Sequence, residues 1–135
     1  MDEHAVSPSL SPSQKRYLIA SYAFGKDGAG VRSRDIAEFL GVKHPSVSRM
    51  LQSLAESGMI EKEYYGTVRF TGRGVRTAAA LYAEYLFLTG YFRERFLFSE
   101  SAAENDAVAC LCRLSQEGVG RLTESAVRHF KKGPS

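Results

Sequence analysis

The sequence predicts a mostly α-helical fold with one small β-hairpin, an N-terminal winged helix-turn-helix followed by a helical dimerisation region. Three observations predict it. Apolar residues recur at helical spacing through most of the chain. Two of the helical segments are short and are separated by a three-residue turn beginning at Gly41. Directly after them, "MIEKEYYGTVRFTGRG" alternates as two strands around a tight turn.

Taken in order, residues 1–10 lack periodicity and are expected to be a disordered tail. Ser11, Pro12 and Gln14 form a capping-box pattern that opens the first helix, whose apolar face is Tyr17, Leu18, Ala20, Tyr22 and Phe24. "GKDGAG" stops it. Ser33 is expected to cap a short second helix that buries Ile36, Ala37 and Leu40 and ends at Gly41. A third starts near His44, with Pro45 in its first turn; Val47, Met50, Leu51 and Leu54 face inward, and Gly58 closes it. The hairpin pairs about Ile60–Tyr64 with Thr67–Phe70 around Tyr65 and Gly66. Thr71 caps a long apolar helix reaching about Thr89, and helical residues continue through "YFRERFLF". Ser101 with Glu104 reads as a second capping box for a helix running to Leu114. Ser115 caps the last helix, which carries Val119, Leu122, Ala126, Val127 and Phe130 on one side. The implied organisation is a tail over 1–10, a winged helix-turn-helix over 11–73 and a helical dimerisation region over 74–132.

Composition narrows the classes. A chain of 135 residues with 44% hydrophobic residues supports one domain, or a small domain with an oligomerisation arm. The net charge of +3 and pI near 8.9 permit a polyanionic partner without requiring one. No apolar run approaches the roughly 20 residues that span a bilayer, and the N-terminus has no secretory pattern. The two cysteines are therefore expected to be reduced thiols in a cytoplasmic protein that does not engage a membrane. No Ser/His/Asp set, carboxylate pair or phosphate loop stands out, and "GKDGAG" lacks the Gly-Lys-Ser/Thr of a P-loop, so an enzyme is not expected.

The charge is distributed more tellingly than it is totalled. Between Gly41 and Ala55 there is no acidic residue, in a chain that has fifteen. The third helix turns its apolar stripe inward and leaves Ser46, Ser48, Arg49, Gln52 and Ser53 on other faces. Small hydroxyls can approach phosphates, and an arginine can reach a guanine edge with two hydrogen bonds. Lys43 and His44 precede the helix, where N-terminal residues meet bases or phosphates. Arg69 and Arg73 make the hairpin basic, with Arg69 placed to touch backbone or minor groove. These features predict a DNA-binding face. The same residues would also serve as the solvated surface of a protein-docking module.

From "DIAEFLGVKHPSVSRMLQSLAESGMIEKE" through "TGRG" the chain resembles the diphtheria-toxin-repressor-like and manganese-transport-regulator-like family, transcriptional repressors that depend on iron or manganese. "VKHPSVSRMLQSL" is similar to that family's recognition helix, including its first-turn proline, and "CRLSQEGVGRL" resembles the junction of its last two dimerisation helices. The resemblance spans about Ser11 to Phe130. It implies a homodimer joined through the helices after the wing, a palindromic double-stranded DNA operator and a repressor function. Carried over residue by residue, the DNA contacts are Lys43, Pro45, Ser46, Ser48 and Arg49, with Ser33 and Arg34 near the phosphates.

The family's metal switch departs from this pattern. Its first-helix ligand positions fall on Arg16 and Ile19, the long-helix histidine on Tyr85, and the later ligands on Val108, Leu111 and Cys112. The accessory positions fall on Tyr85, Thr89 and Glu104. Iron and manganese favour oxygen and imidazole donors, and Arg16 would place a cation against a cation. No cofactor is expected, with divalent manganese or iron only if this degenerate site still binds, and Cys112 is the one weak metal candidate. Cys110 and Cys112 project about 200° apart on a helix, so they do not converge on one ion. A mixed site with His129, a reactive thiol beside Arg113, and plain packing are the three roles open to them. Tyr82, Tyr85, Phe87, Tyr91, Phe92, Phe96 and Phe98 form core, dimer interface or a small-molecule pocket. The expected function is a homodimeric DNA-binding regulator whose metal dependence is lost or altered. The alternatives are a regulator responding to a small molecule or to thiol oxidation, and a protein-interaction module.

Overall fold

The computed structural model describes residues 10–25, 30–61 and 64–132. The tail expected over 1–10 (all but its last residue), the centre of "GKDGAG" and two residues of the first wing strand lie outside them. The first helix, α1 (Pro12–Gly25), opens with the expected capping box: the Gln14 amide donates to Ser11 Oγ at 3.0 Å and the Ser11 amide donates to Gln14 Oε1 at 3.0 Å. Tyr17 through Ser21 are all buried, so α1 is enclosed on several sides rather than on one face. Phe24, expected on the apolar face, is instead exposed, while Ile19 is buried.

Strand β1 (Val31–Arg32) runs straight into α2 (Ser33–Leu40). Ser33 is therefore not the cap. It is the first helical residue and is buried, and its amide donates to the Gly66 carbonyl at 2.9 Å, so the wing satisfies one of the amides that the helix start leaves without an intrahelical partner. Gly41, at φ 67°, closes α2 as expected, with Val42 N–H bonding back to the Ala37 carbonyl at 3.0 Å. Helix α3 (His44–Glu56) buries Val47, Leu51 and Leu54, and Met50 is half-buried. Gly58, at φ 77°, follows its end.

In the wing, β2 (Thr67–Val68) pairs antiparallel with β1, Val31 opposite Val68 and Arg32 opposite Thr67. The expected hairpin is present as two bridges, Ile60 with Phe70 and Tyr64 with Thr67. Tyr65 (φ 51°) and Gly66 (φ 76°) form the tight turn between reciprocal Tyr64–Thr67 hydrogen bonds of 3.0 Å, the two-residue geometry with positive φ at both positions. Strand β1 is the element that sequence periodicity misses, because two residues show no period.

Thr71 caps α4 (Gly72–Arg95), its hydroxyl accepting from the Gly74 amide at 2.9 Å. The helix runs unbroken through Gly90, where an added Cβ would lie 2.9 Å from the Phe130 ring; this glycine admits a neighbouring helix rather than ending its own. Leu97, at φ 61°, turns the chain back. Ser99, not Ser101, caps α5 (Glu100–Arg113), accepting from the Ala102 amide at 3.2 Å, and Glu104 consequently has no capping role. Ser115 caps α6 (Gln116–Lys131) as expected.

Two apolar cores result. Tyr17, Leu18 and Ala20 of α1 pack with Ile36, Val47, Leu51, Leu54 and Val68 in the head. Ile19 joins Tyr85, Leu88, Phe92, Ala103, Leu111 and Ala126 in the helical region. One helix thus belongs to both cores. The fold is a winged helix-turn-helix followed by a helical region, and no helix among the described residues is long and apolar enough to cross a membrane.

Candidate nucleic-acid interface

Burial of Val47, Leu51 and Leu54 fixes the rotation of α3 and leaves its opposite side to solvent. Lys43, His44, Pro45 and Arg49 are exposed there, and Ser46 and Ser48 are half-buried beside them. Arg34, in the first turn of α2, and Arg69, on the wing, are also exposed. Ser33 does not join them. At 3% exposure it lies beneath the wing turn, and its part is to hold that turn against α2. Ser53 is also committed elsewhere: Gln14 Nε2 donates to the hydroxyls of both Ser53 and Ser57 at 3.1 Å, tying α1 to the far end of α3.

Two residues at the wing tip, which the sequence marks only as hairpin positions, add an aromatic surface. Tyr64 and Tyr65 are 73% and 90% exposed, and their rings pack edge-on at 4.5 Å. Tyr65 holds a left-handed conformation that costs a side-chain-bearing residue about 1–2 kcal/mol. A bulky aromatic at the first position of an expected Tyr-Gly turn was the available signal.

Below the head, most of the positions that the resemblance aligns with metal ligands surround one cavity of about 510 Å³. Arg16, Ile19, Tyr85, Val108, Cys112 and Glu104 line it, with Phe39 and Leu40 of α2 forming the opposite edge. Leu111 does not; its side chain is buried in the second core. Thr89 is buried on α4 and is not part of the lining. Arg16 donates through Nη2 to the Leu40 carbonyl at 3.1 Å. The donor set does not fit iron or manganese: one thiol, one carboxylate and one phenol share the space with two guanidiniums, those of Arg16 and Arg113. Among the described residues no three His, Cys, Asp or Glu side chains gather around a point where an ion could be held.

The cysteines separate as helical geometry requires. Cys112 faces the cavity, whereas Cys110 packs on the second core. Burial pushes the Cys110 thiol above its ordinary pKa, and Asp106 adds to the rise. Burial also raises Cys112, against the opposing pull of Lys15, Arg16 and Arg113. Neither is the low-pKa thiol that an oxidant sensor requires. His129 and Cys112 are not brought together; His129 lines a separate recess with Tyr91 and Arg95 and lies 3.4 Å from Glu94 Oε1. The aromatic run divides too, with Tyr85 and Phe92 in the core and Phe87 and Phe96 on the surface.

The fold and its exposed basic face define a winged-helix protein with an appended helical region. A family model described as "Domain of unknown function (DUF8462)" matches residues 5–76, more than half of the chain, and the chain belongs to that family. Among solved structures, the manganese regulator SloR is similar with a TM-score of 0.70 and 21% identity, covering 93% of this chain and 56% of its own. IdeR of T. acidophilum is similar with a TM-score of 0.64 and 19% identity over 88% of this chain and 55% of its own. ScaR with bound Zn²⁺ gives 0.60 and 18% over 83% and 52%. The chain spans about half the length of these three structures, and the likeness at such identities is one of fold. A search of the curated proteins finds no match.

Proposed function

We propose that the chain is a transcriptional regulator, not an enzyme, that binds double-stranded DNA as a homodimer and represses from a palindromic operator. Lys43, His44, Pro45, Ser46, Ser48 and Arg49 enter or flank the major groove, and Arg34 and Arg69 meet the backbone. The observation that carries this reading is the acid-free stretch from Gly41 to Ala55, whose polar residues are held outward by Val47, Leu51 and Leu54. Phosphate contacts position such a head, and Arg49 is the residue able to read a base edge. Self-association is supported by several exposed apolar side chains on the helical region. Leu86, Phe87, Phe96, Leu97 and Phe130 are all at least 37% exposed, and the Phe87 and Phe130 rings lie tilted with centroids 6.1 Å apart. The arginine-bearing cavity favours control without a divalent metal.

Gel retardation of a fragment spanning the chain's own promoter, with manganese or ferrous ion and with chelator, tests both parts. Retardation that survives chelator and weakens steeply with salt is expected. Arg49→Ala should cost about 1–3 kcal/mol of specific binding. Strict metal dependence would remove the metal-free reading. Salt-insensitive behaviour indifferent to Arg49→Ala would favour a protein-docking module.

A second reading, control by a small molecule, is favoured by the cavity itself, which lies where the head meets the helical region.

A further inference from the structure

We propose that the cavity between α1, α2, α4 and α5 binds a small amphipathic carboxylate, with its anionic group on Arg16 and Arg113 and its apolar body against Ile19, Phe39 and Val108. The site is assigned to no metal and no cofactor. Its volume, about 510 Å³, is that of a small-molecule site and not of a packing defect. Arg16 and Arg113 line it against a single carboxylate, Glu104, leaving one cation in excess. Arg16 spends one hydrogen bond on the Leu40 carbonyl, and the rest of its donor fork remains. Arg113 makes no ion pair among the described residues. The positive field is felt within the site, since Lys15, Arg16 and Arg113 all act on the Cys112 thiol.

The apolar half is equally defined. Ile19 is buried at one wall and Val108 is half-buried, whereas Phe39 stands 48% exposed at the rim. An inorganic anion would leave these surfaces wet, and a neutral apolar ligand would leave the excess positive charge unanswered. A carboxylate on a hydrocarbon or aromatic body satisfies both halves. The walls come from different parts of the fold. Arg16, Ile19 and Phe39 belong to elements that pack the reader head, while Tyr85, Glu104, Val108 and Cys112 belong to the helical region. A bound molecule therefore bridges head and helical region, and any preference for one arrangement of the two shifts the population that DNA selects. This consequence rests on the regulator reading; the binding does not.

Isothermal titration of the full chain with 4-phenylbutyrate and with octanoate tests the site, with 4-phenylbutan-1-ol as the uncharged control. Saturable binding of one carboxylate per chain is expected, with the alcohol weaker by about tenfold or more. Arg16→Gln and Arg113→Gln should each weaken the carboxylate about tenfold, and Val108→Trp should abolish binding by filling the space. Arg113→Gln touches no packing contact of the cores, so it reports even if Arg16→Gln disturbs the α1–α2 contact. Absence of saturable binding by both carboxylates, equal binding of the alcohol, or indifference to Arg113→Gln overturns the site. Carboxylate binding by a chain that fails to retard DNA would remove the regulator reading and keep the site. DNA binding without carboxylate binding would do the reverse.

Discussion

A Cβ placed on Gly74 would overlap the backbone carbonyl of Met59. The approach is fixed from both sides. Thr71 Oγ1 donates to the Gly58 carbonyl at 2.6 Å, and the Thr71 amide donates to the Met59 carbonyl at 3.1 Å. The end of α3, the exit of the wing and the start of α4 thus meet at one residue without a side chain. The first turn of α4 is pressed against backbone, which has no rotamer to yield.

Gly74→Ala should therefore destabilise the protein by about 2–3 kcal/mol, the upper range for overpacking, despite the gain in helix propensity that alanine brings. Urea unfolding monitored by circular dichroism measures it. A neutral or stabilising result would mean that α4 shifts freely relative to α3.

Gln14 carries two structural duties, and its replacement should show both. Its Oε1 completes the cap at Ser11, and its Nε2 holds Ser53 and Ser57 on α3. Gln14→Ala is expected to cost about 1–2 kcal/mol, a cap contribution plus part-buried hydrogen bonds. A double-mutant cycle with Ser53→Ala should return a coupling of about 0.5 kcal/mol or more, because the two residues share a bond. Additive single effects would show that the α1–α3 tie contributes nothing.

The residues that were legible from sequence share a physical feature: a local signal strong enough to override context. The Ser11–Gln14 box, Gly41, the Tyr65-Gly66 turn and the Thr71 and Ser115 caps are each set within four residues. Ser33 and Ser101 have the right chemistry for caps, yet the backbone around them set the outcome, from across the wing in one case and from the preceding turn in the other. For Ser33 the Gly66 carbonyl, across the wing, took the amide. For Ser101 the reversal at Leu97 brought the helix start two residues earlier, to Ser99. The grouping of Arg16, Tyr85 and Cys112 around one space was legible only through the resemblance, since residues so distant in sequence have no periodicity in common. The cavity they enclose, and the place of Phe39 at its rim, needed the packing of α2 against α1.

Tyr65 offers a test in which stability and binding move in opposite directions. Its left-handed backbone suits glycine or asparagine, so Tyr65→Asn should stabilise the fold by up to about 1 kcal/mol in thermal or urea unfolding. If the wing tip rests on DNA, the same substitution removes an exposed aromatic surface, and operator affinity should fall severalfold while the protein becomes more stable. Higher affinity in the stabilised variant would show that Tyr65 is only a strained turn residue.

The thiols give a prediction with a definite sign in pH. Burial raises both cysteines above their ordinary pKa, so at neutral pH each carries less thiolate than a free cysteine. Reaction with a disulfide reagent should be slower than for a cysteine peptide at pH 7 and should accelerate only as pH passes above the ordinary thiol range. The linkage has the same direction. A folded-state pKa above the unfolded value means the folded state holds the proton more tightly, so its stabilising contribution is present below the unfolded thiol pKa and is lost as pH rises through the folded one. Arg16→Gln removes one of the cations that oppose burial at Cys112 and should slow that thiol further, leaving Cys110, whose partner is Asp106, unchanged. Rate profiles of the Cys110→Ser and Cys112→Ser variants separate the two. A Cys112 that reacts faster than the peptide at pH 7 would restore the oxidant-sensing role that its burial argues against.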